Sequence, residues 1–64
     1  MTIPGKIYIA NIDIWGEMYD PNYIFMVHEI NDENNILVYE FSENRYRNIQ
    51  MPHYQFEILY VEIK

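Results

Sequence analysis

Tyr23-Ile24-Phe25-Met26-Val27-His28-Glu29-Ile30, the polar break Asn31-Asp32-Glu33-Asn34-Asn35, Ile36-Leu37-Val38-Tyr39-Glu40-Phe41, the break Ser42-Glu43-Asn44, and Tyr46-Arg47-Asn48-Ile49-Gln50-Met51 decide the fold. Three runs of strand length, rich in β-branched and aromatic residues, are separated by clusters of Asn, Asp and Ser that favour turns. The middle run alternates: Leu37, Tyr39 and Phe41 fall on one face, Ile36, Val38 and Glu40 on the other. In the third run Arg47, Ile49 and Met51 interleave with Tyr46, Asn48 and Gln50. The first run is apolar in both phases, as expected of a strand buried on two sides. These are successive antiparallel hairpins.

Working outward, Pro52-His53-Tyr54 interrupts the sheet and predicts a 3₁₀ turn over about 52–55. Phe56 to Ile63 then reads as a last strand, with Leu59, Val61 and Ile63 opposite Phe56, Ile58 and Tyr60. Upstream, Lys6 to Trp15 reads as a first strand. Ile7 and Ile9 share one phase while Ile12 and Ile14 take the other, which predicts a bulge or sharp bend near Ala10-Asn11. The expectation is an all-β single domain over 1–64: a five-stranded barrel or a strongly bent antiparallel sheet. The stretch from Met26 to Asp32, through Val38-Tyr39-Glu40-Phe41, to Arg45-Tyr46-Arg47-Asn48-Ile49 resembles the central hairpins of Tudor- and KOW-type barrels, which are SH3-like. That resemblance covers roughly the last forty residues and is one of apolar and turn positions. It implies an SH3-like small barrel. It also implies that aromatic residues near the hairpins can form a cage for a methylated ammonium.

Composition narrows the function classes. Sixty-four residues without cysteine exclude disulfides and every thiolate zinc pattern. A chain this short buries only roughly 60% of its unfolded surface. Yet half of its residues are hydrophobic and 17% aromatic, more apolar surface than one small barrel readily hides. A core completed across a homodimer or partner interface is therefore expected. Ten acids against four bases give a net charge of −6, which disfavours direct binding of nucleic acid. The start at Met1-Thr2-Ile3-Pro4-Gly5-Lys6 does not read as a signal peptide, and no apolar run is long enough to span a membrane. A cytoplasmic location is the expectation.

Catalytic chemistry finds little to use. Ser42 and Thr2 are the only aliphatic hydroxyls, and Ser42 sits in a turn beside Glu43 and Asn44. A nucleophilic triad needs a serine and histidine within reach of each other, and nothing in the spacing brings this about. His28 and His53 are far apart in sequence, without metal-ligand spacing, so no metal and no cofactor is expected. No acid is marked as buried or paired for acid–base work. The reading is a protein that is not an enzyme.

Two groups of residues are candidates for binding. Trp15, Tyr19 and Tyr23 flank a loop that also carries Glu17 and Asp20, and predict an aromatic anchor ringed by acids for a basic protein partner. Tyr39, Phe41 and Tyr46, with Arg45 and Arg47, predict an alternative site for a nucleotide or a methylated amine. Acids grouped as Glu17 with Asp20, Asp32 with Glu33, and Glu40 with Glu43 suggest imitation of a phosphate track, against the plainer role of keeping an apolar protein soluble. Richness in Ile, Asn and Tyr points to an AT-rich genome. A free-standing acidic domain of this kind resembles the accessory inhibitors that bacteriophages and mobile elements direct against host enzymes or defence systems. A structural subunit of a larger assembly is the third reading.

Overall fold

The computed structural model describes residues 2–64, and Met1, with which the reading of the chain start begins, lies outside them. Five antiparallel strands form one sheet: β1 (Ile7–Ala10), β2 (Ile24–Asp32), β3 (Asn35–Glu40), β4 (Arg45–Gln50) and β5 (Tyr60–Glu62). Their order across the sheet is β4-β3-β2-β1-β5. No ladder joins β4 to β5, so the sheet is open, an arrangement that fits an unclosed barrel or a bent sheet alike. The three central runs become β2, β3 and β4 within two residues of their expected ends. β2 carries one extra residue between Val27 and Glu29 and another between Ile30 and Asp32. Such bulges bend a strand and increase its twist, curling the sheet.

The two ends of the chain depart from the sequence expectation. The first strand stops at Ala10, and Ile12–Trp15 form a short helix, α1, followed by a 3₁₀ turn over Gly16–Met18. Asn11 explains the stop. Its side-chain oxygen accepts from the Asp13 N–H at 3.1 Å, an N-cap that turns the backbone out of the strand. The phase change at Ala10-Asn11 therefore marks a strand ending rather than a bulge. Gly16 closes α1 with φ at +56°, a conformation side chains resist. Near the C-terminus, His53–Leu59 form α2, seven residues where one 3₁₀ turn was expected, and β5 is left with three. Phe56, Leu59 and Tyr60 recur at i, i+3 and i+4, so a helix buries the same residues that alternation assigned to a strand.

The core lies between the inner sheet face and these helices. Tyr8, Ala10, Phe25, Val27, Ile36, Val38 and Ile49 from the sheet meet Phe56 and Tyr60. Phe25 is the hub, with rings of Tyr8, Tyr23, Phe56 and Tyr60 centred 5.1–6.2 Å from its own. The C-terminus of α2 is capped from far along the chain. The Leu59 carbonyl accepts from the Asn11 backbone N–H at 2.8 Å and from the Trp15 indole N–H at 2.9 Å. The Asn11 side-chain amide also donates to the Ile58 carbonyl at 3.2 Å. Asn11 thus begins one helix and ends the other. Asn11→Ala is expected to cost about 1–2 kcal/mol, read as a lower urea midpoint with an unchanged m-value. A change in m would mean that the two helices undock rather than lose a cap.

Candidate functional site

Strand alternation sorts the candidate residues onto two sides of the sheet. On the outer face, register aligns Ile7, Met26, Tyr39 and Tyr46 in one row across four strands. A second row holds Val61, Ile9 and Ile24, with the Phe41 N–H donating to the Ile24 carbonyl at its end. No element among the described residues covers this face. Phe41 is 46% exposed and Tyr46 58%, with Ile7, Val61 and Ile63 close behind. Aromatic edges lock the patch: Tyr39 meets Phe41 at 5.5 Å and Tyr46 at 5.0 Å, and the His28 ring meets Tyr46 at 5.1 Å. The Tyr39 hydroxyl donates to the Asn44 side chain in the β3–β4 turn, fixing that ring against the turn. The sequence reading placed Tyr39, Phe41 and Tyr46 together, and they are together. Met26 and His28 complete the patch and were not singled out, although Met26 was an apolar residue on a strand already read as apolar on both faces.

Arg45 and Arg47 point the other way. They share the inner phase with Ile49, and β3 pairs Glu40 with Arg45 and Val38 with Arg47. Glu40 is 1% exposed, the one fully buried carboxylate among the described residues. Its Oε1 accepts from Arg45 Nε at 2.8 Å, and its Oε2 from Arg47 at 3.2 Å and from the Tyr23 hydroxyl at 2.6 Å. Burial pushes the Glu40 carboxyl up, but the Tyr23, Arg45 and Arg47 hydrogen bonds outweigh it and hold the group below the ordinary carboxylate range. Burial and the neighbouring Glu40 push the Tyr23 phenol well above its usual value. Glu40 therefore belongs to no acidic surface with Glu43. A signal for this existed but was not drawn on: Glu40 alternates in phase with Ile36 and Val38, and Arg47 in phase with Ile49.

Beside this cluster opens a cleft of about 270 Å³ lined by Ala10, Trp15, Met18, Asp20, Tyr23, Arg47 and Tyr60. It unites Trp15, Tyr23 and Asp20 of the expected anchor with Arg47 of the alternative site. Trp15 is no free anchor: it is half-buried, its ring lies 5.9 Å from Tyr60, and its N–H caps α2. Tyr19 packs partly buried against the core, while Glu17 stays exposed in the 3₁₀ turn. Asp20 makes a turn of its own, its Oδ1 accepting from the Asn22 N–H at 2.9 Å. Tyr60, missed because β5 was read as an ordinary alternating strand, forms the floor at 7% exposure.

His28 and His53 stay apart: His53 Nε2 hydrogen-bonds the Asp32 carbonyl at 2.9 Å, in the β2–β3 turn. Among the described residues no three His, Asp or Glu side chains are grouped to hold a metal ion. No helix there is long and apolar enough to cross a membrane. No protein-family model, no curated protein and no solved structure matches the chain, so its fold and its two surfaces stand on their own geometry.

Proposed function

We propose that the chain is a non-enzymatic binding domain that docks onto another protein through the outer face of its sheet. The observation that carries this reading is the uncovered row Ile7–Met26–Tyr39–Tyr46 with Phe41 beside it. Contiguous apolar surface of this kind marks interaction sites, and tyrosine and phenylalanine supply large contact area at low entropic cost. Rigidity adds to it, because the rings are held edge to face on neighbouring strands. Glu29, paired with Leu37 on the same face, and Glu43 in the adjoining turn flank the patch with negative charge. The partner that fits is an apolar surface rimmed by Lys and Arg, steered by the charge of −6.

An inhibitor that occupies a basic host enzyme or defence protein inside the cell is the role that suits this chemistry. Imitation of a phosphate track has less support. The exposed acids are scattered over the segment before β2, β2 and the turn after it, the β3–β4 turn and α2, and Glu40 is withdrawn into its ion pairs.

A photo-crosslinking residue in place of Tyr46, with one in place of Glu33 as control, tests the reading in cells of the native host. The expected result is one cross-linked protein, absent from the control, weakened by salt and lost when Tyr39 and Phe41 are both changed to Ser. A product of twice the chain mass would show a second copy covering the face and overturn the hetero-partner. Equal labelling from both positions would remove the face as an interface.

A further inference from the structure

The cleft on the inner side lies away from the proposed docking face and carries an inference independent of it. Its polar groups are of opposite kinds and only partly used. Arg47 gives one terminal nitrogen to Glu40 and Tyr23, at 3.2 and 3.3 Å. A guanidinium has five donors, and with its side chain 51% exposed the remainder face open space. The Tyr60 hydroxyl makes no hydrogen bond among the described residues, although the residue is 93% buried by its 7% exposure. No fully buried side-chain oxygen or nitrogen lacks a partner there, so the Tyr60 oxygen must reach solvent. It feels both Arg47 and Glu40 electrostatically, which places it at the cleft that Arg47 lines. A phenol whose ring is buried but whose oxygen reaches the cleft is a donor open to an occupant in exchange for water.

Asp20 also lines the cleft, exposed, with one carboxylate oxygen engaged by Asn22 and the other free of any protein donor among the described residues. Trp15 and Ala10 form an apolar wall, and Met18, 77% exposed, is a flexible thioether able to fold over an occupant. Locally Glu40, Arg45 and Arg47 sum to one positive charge, and Asp20 returns the lining to neutrality. A bare anion would meet Asp20 and the acidic surroundings, and a bare cation would meet Arg47. A ligand carrying both charges is matched at each end.

We infer that the cleft binds a free α-amino acid with a large apolar side chain. Its carboxylate takes the Arg47 and Tyr60 donors, its ammonium meets Asp20, and its side chain lies between Trp15 and Met18. The volume of about 270 Å³ admits one such molecule. Trp15, the sole tryptophan of the chain, reports on the site directly.

Titration of the intact chain with L-phenylalanine and L-leucine, followed by Trp15 fluorescence and by amide chemical shifts, tests this. The expected result is saturable binding in the micromolar to millimolar range. N-acetylation or C-terminal amidation of the ligand should each weaken it about tenfold or more, since each removes one charge-assisted contact. Tyr60→Phe, which keeps the ring in the core, and Asp20→Asn, which keeps the turn acceptor, should weaken it similarly with melting curves unchanged. Binding indifferent to acetylation would assign the cleft to a peptide chain end and overturn the free amino acid. Binding unaffected by Tyr60→Phe and Asp20→Asn, or no saturable change with either amino acid, would overturn the site itself.

Discussion

Phe25→Ala leaves a chain without a cooperative thermal transition at room temperature and above. Phe25 is fully buried and touches four aromatic rings contributed by β1, the β2 entry, α2 and β5. Truncating a buried phenylalanine costs about 3–5 kcal/mol, as lost transfer energy and a residual cavity together. A domain of this length has a total stability of only about 3–10 kcal/mol. Neighbouring rings are stiff and cannot fold into the space, so collapse offsets little of the loss. Circular dichroism and near-ultraviolet signals are expected to decay without a shared midpoint. A single sharp transition displaced by a few degrees would show that the rings repack. Phe25→Leu, which keeps most of the volume, should retain a cooperative transition at lower temperature and so separate loss of packing from loss of fold.

The second large effect comes from the ion cluster. Changing Arg45 and Arg47 together to Met strands Glu40, and an unpaired buried carboxylate costs about 3 kcal/mol, the low end for a broken buried pair, because water enters where the guanidinium groups stood. The sign of the pH dependence is the distinguishing readout. In the native chain the folded Glu40 group is held below its unfolded value, so its contribution is present above about pH 4.3 and is lost as pH falls through the folded pKa. In the double variant, burial without cations raises the folded value above the unfolded one. Stability is then regained as pH falls, because the carboxyl protonates inside the core. Between neutral and mildly acidic pH the Glu40 contribution to the urea midpoint should therefore stay level for the native chain, falling only below about pH 4.3, whereas the midpoint of the variant should rise. Parallel curves would mean that Glu40 is screened by water and contributes little.

The same cluster accounts for much of how Tyr23 is placed. Its hydroxyl ends on a carboxylate seventeen positions away in the chain, which in turn is held by two arginines on the next strand. Two of the four bases of an acidic protein are thus committed to one buried acid, and the open donors of Arg47 remain on the cleft side. The outer sheet face and the cleft are consequently different in kind. One is apolar, its rings held edge to face; the other is small, lined by opposite charges and walled by a tryptophan.

The three central strands, their hairpin breaks, the two alternating phases of β3 and β4, and the gathering of Tyr39, Phe41 and Tyr46 were legible in the residues. Period-two alternation and turn chemistry are local properties, and neighbouring antiparallel strands need only short-range pairing to realise them. The ends were decided elsewhere. Ile12 and Ile14 alternate like a strand yet lie exposed on a helical turn, and Phe56, Ile58 and Tyr60 alternate like a strand yet all seven residues from His53 to Leu59 are helical and sheet pairing begins only at Tyr60. For such short apolar runs periods of 2 and 3.6 select overlapping residues, so the sequence pattern is degenerate. Tertiary contact broke that degeneracy: Asn11 and Trp15 cap the end of α2 across more than forty residues, which makes helix the conformation that satisfies its carbonyls. The site followed the same division. Amino-acid type and phase determined which faces were apolar and which charges shared a side; only the folded chain could bring Asp20, Arg47 and Tyr60 around one cleft, because their proximity depends on where three non-adjacent elements come to rest.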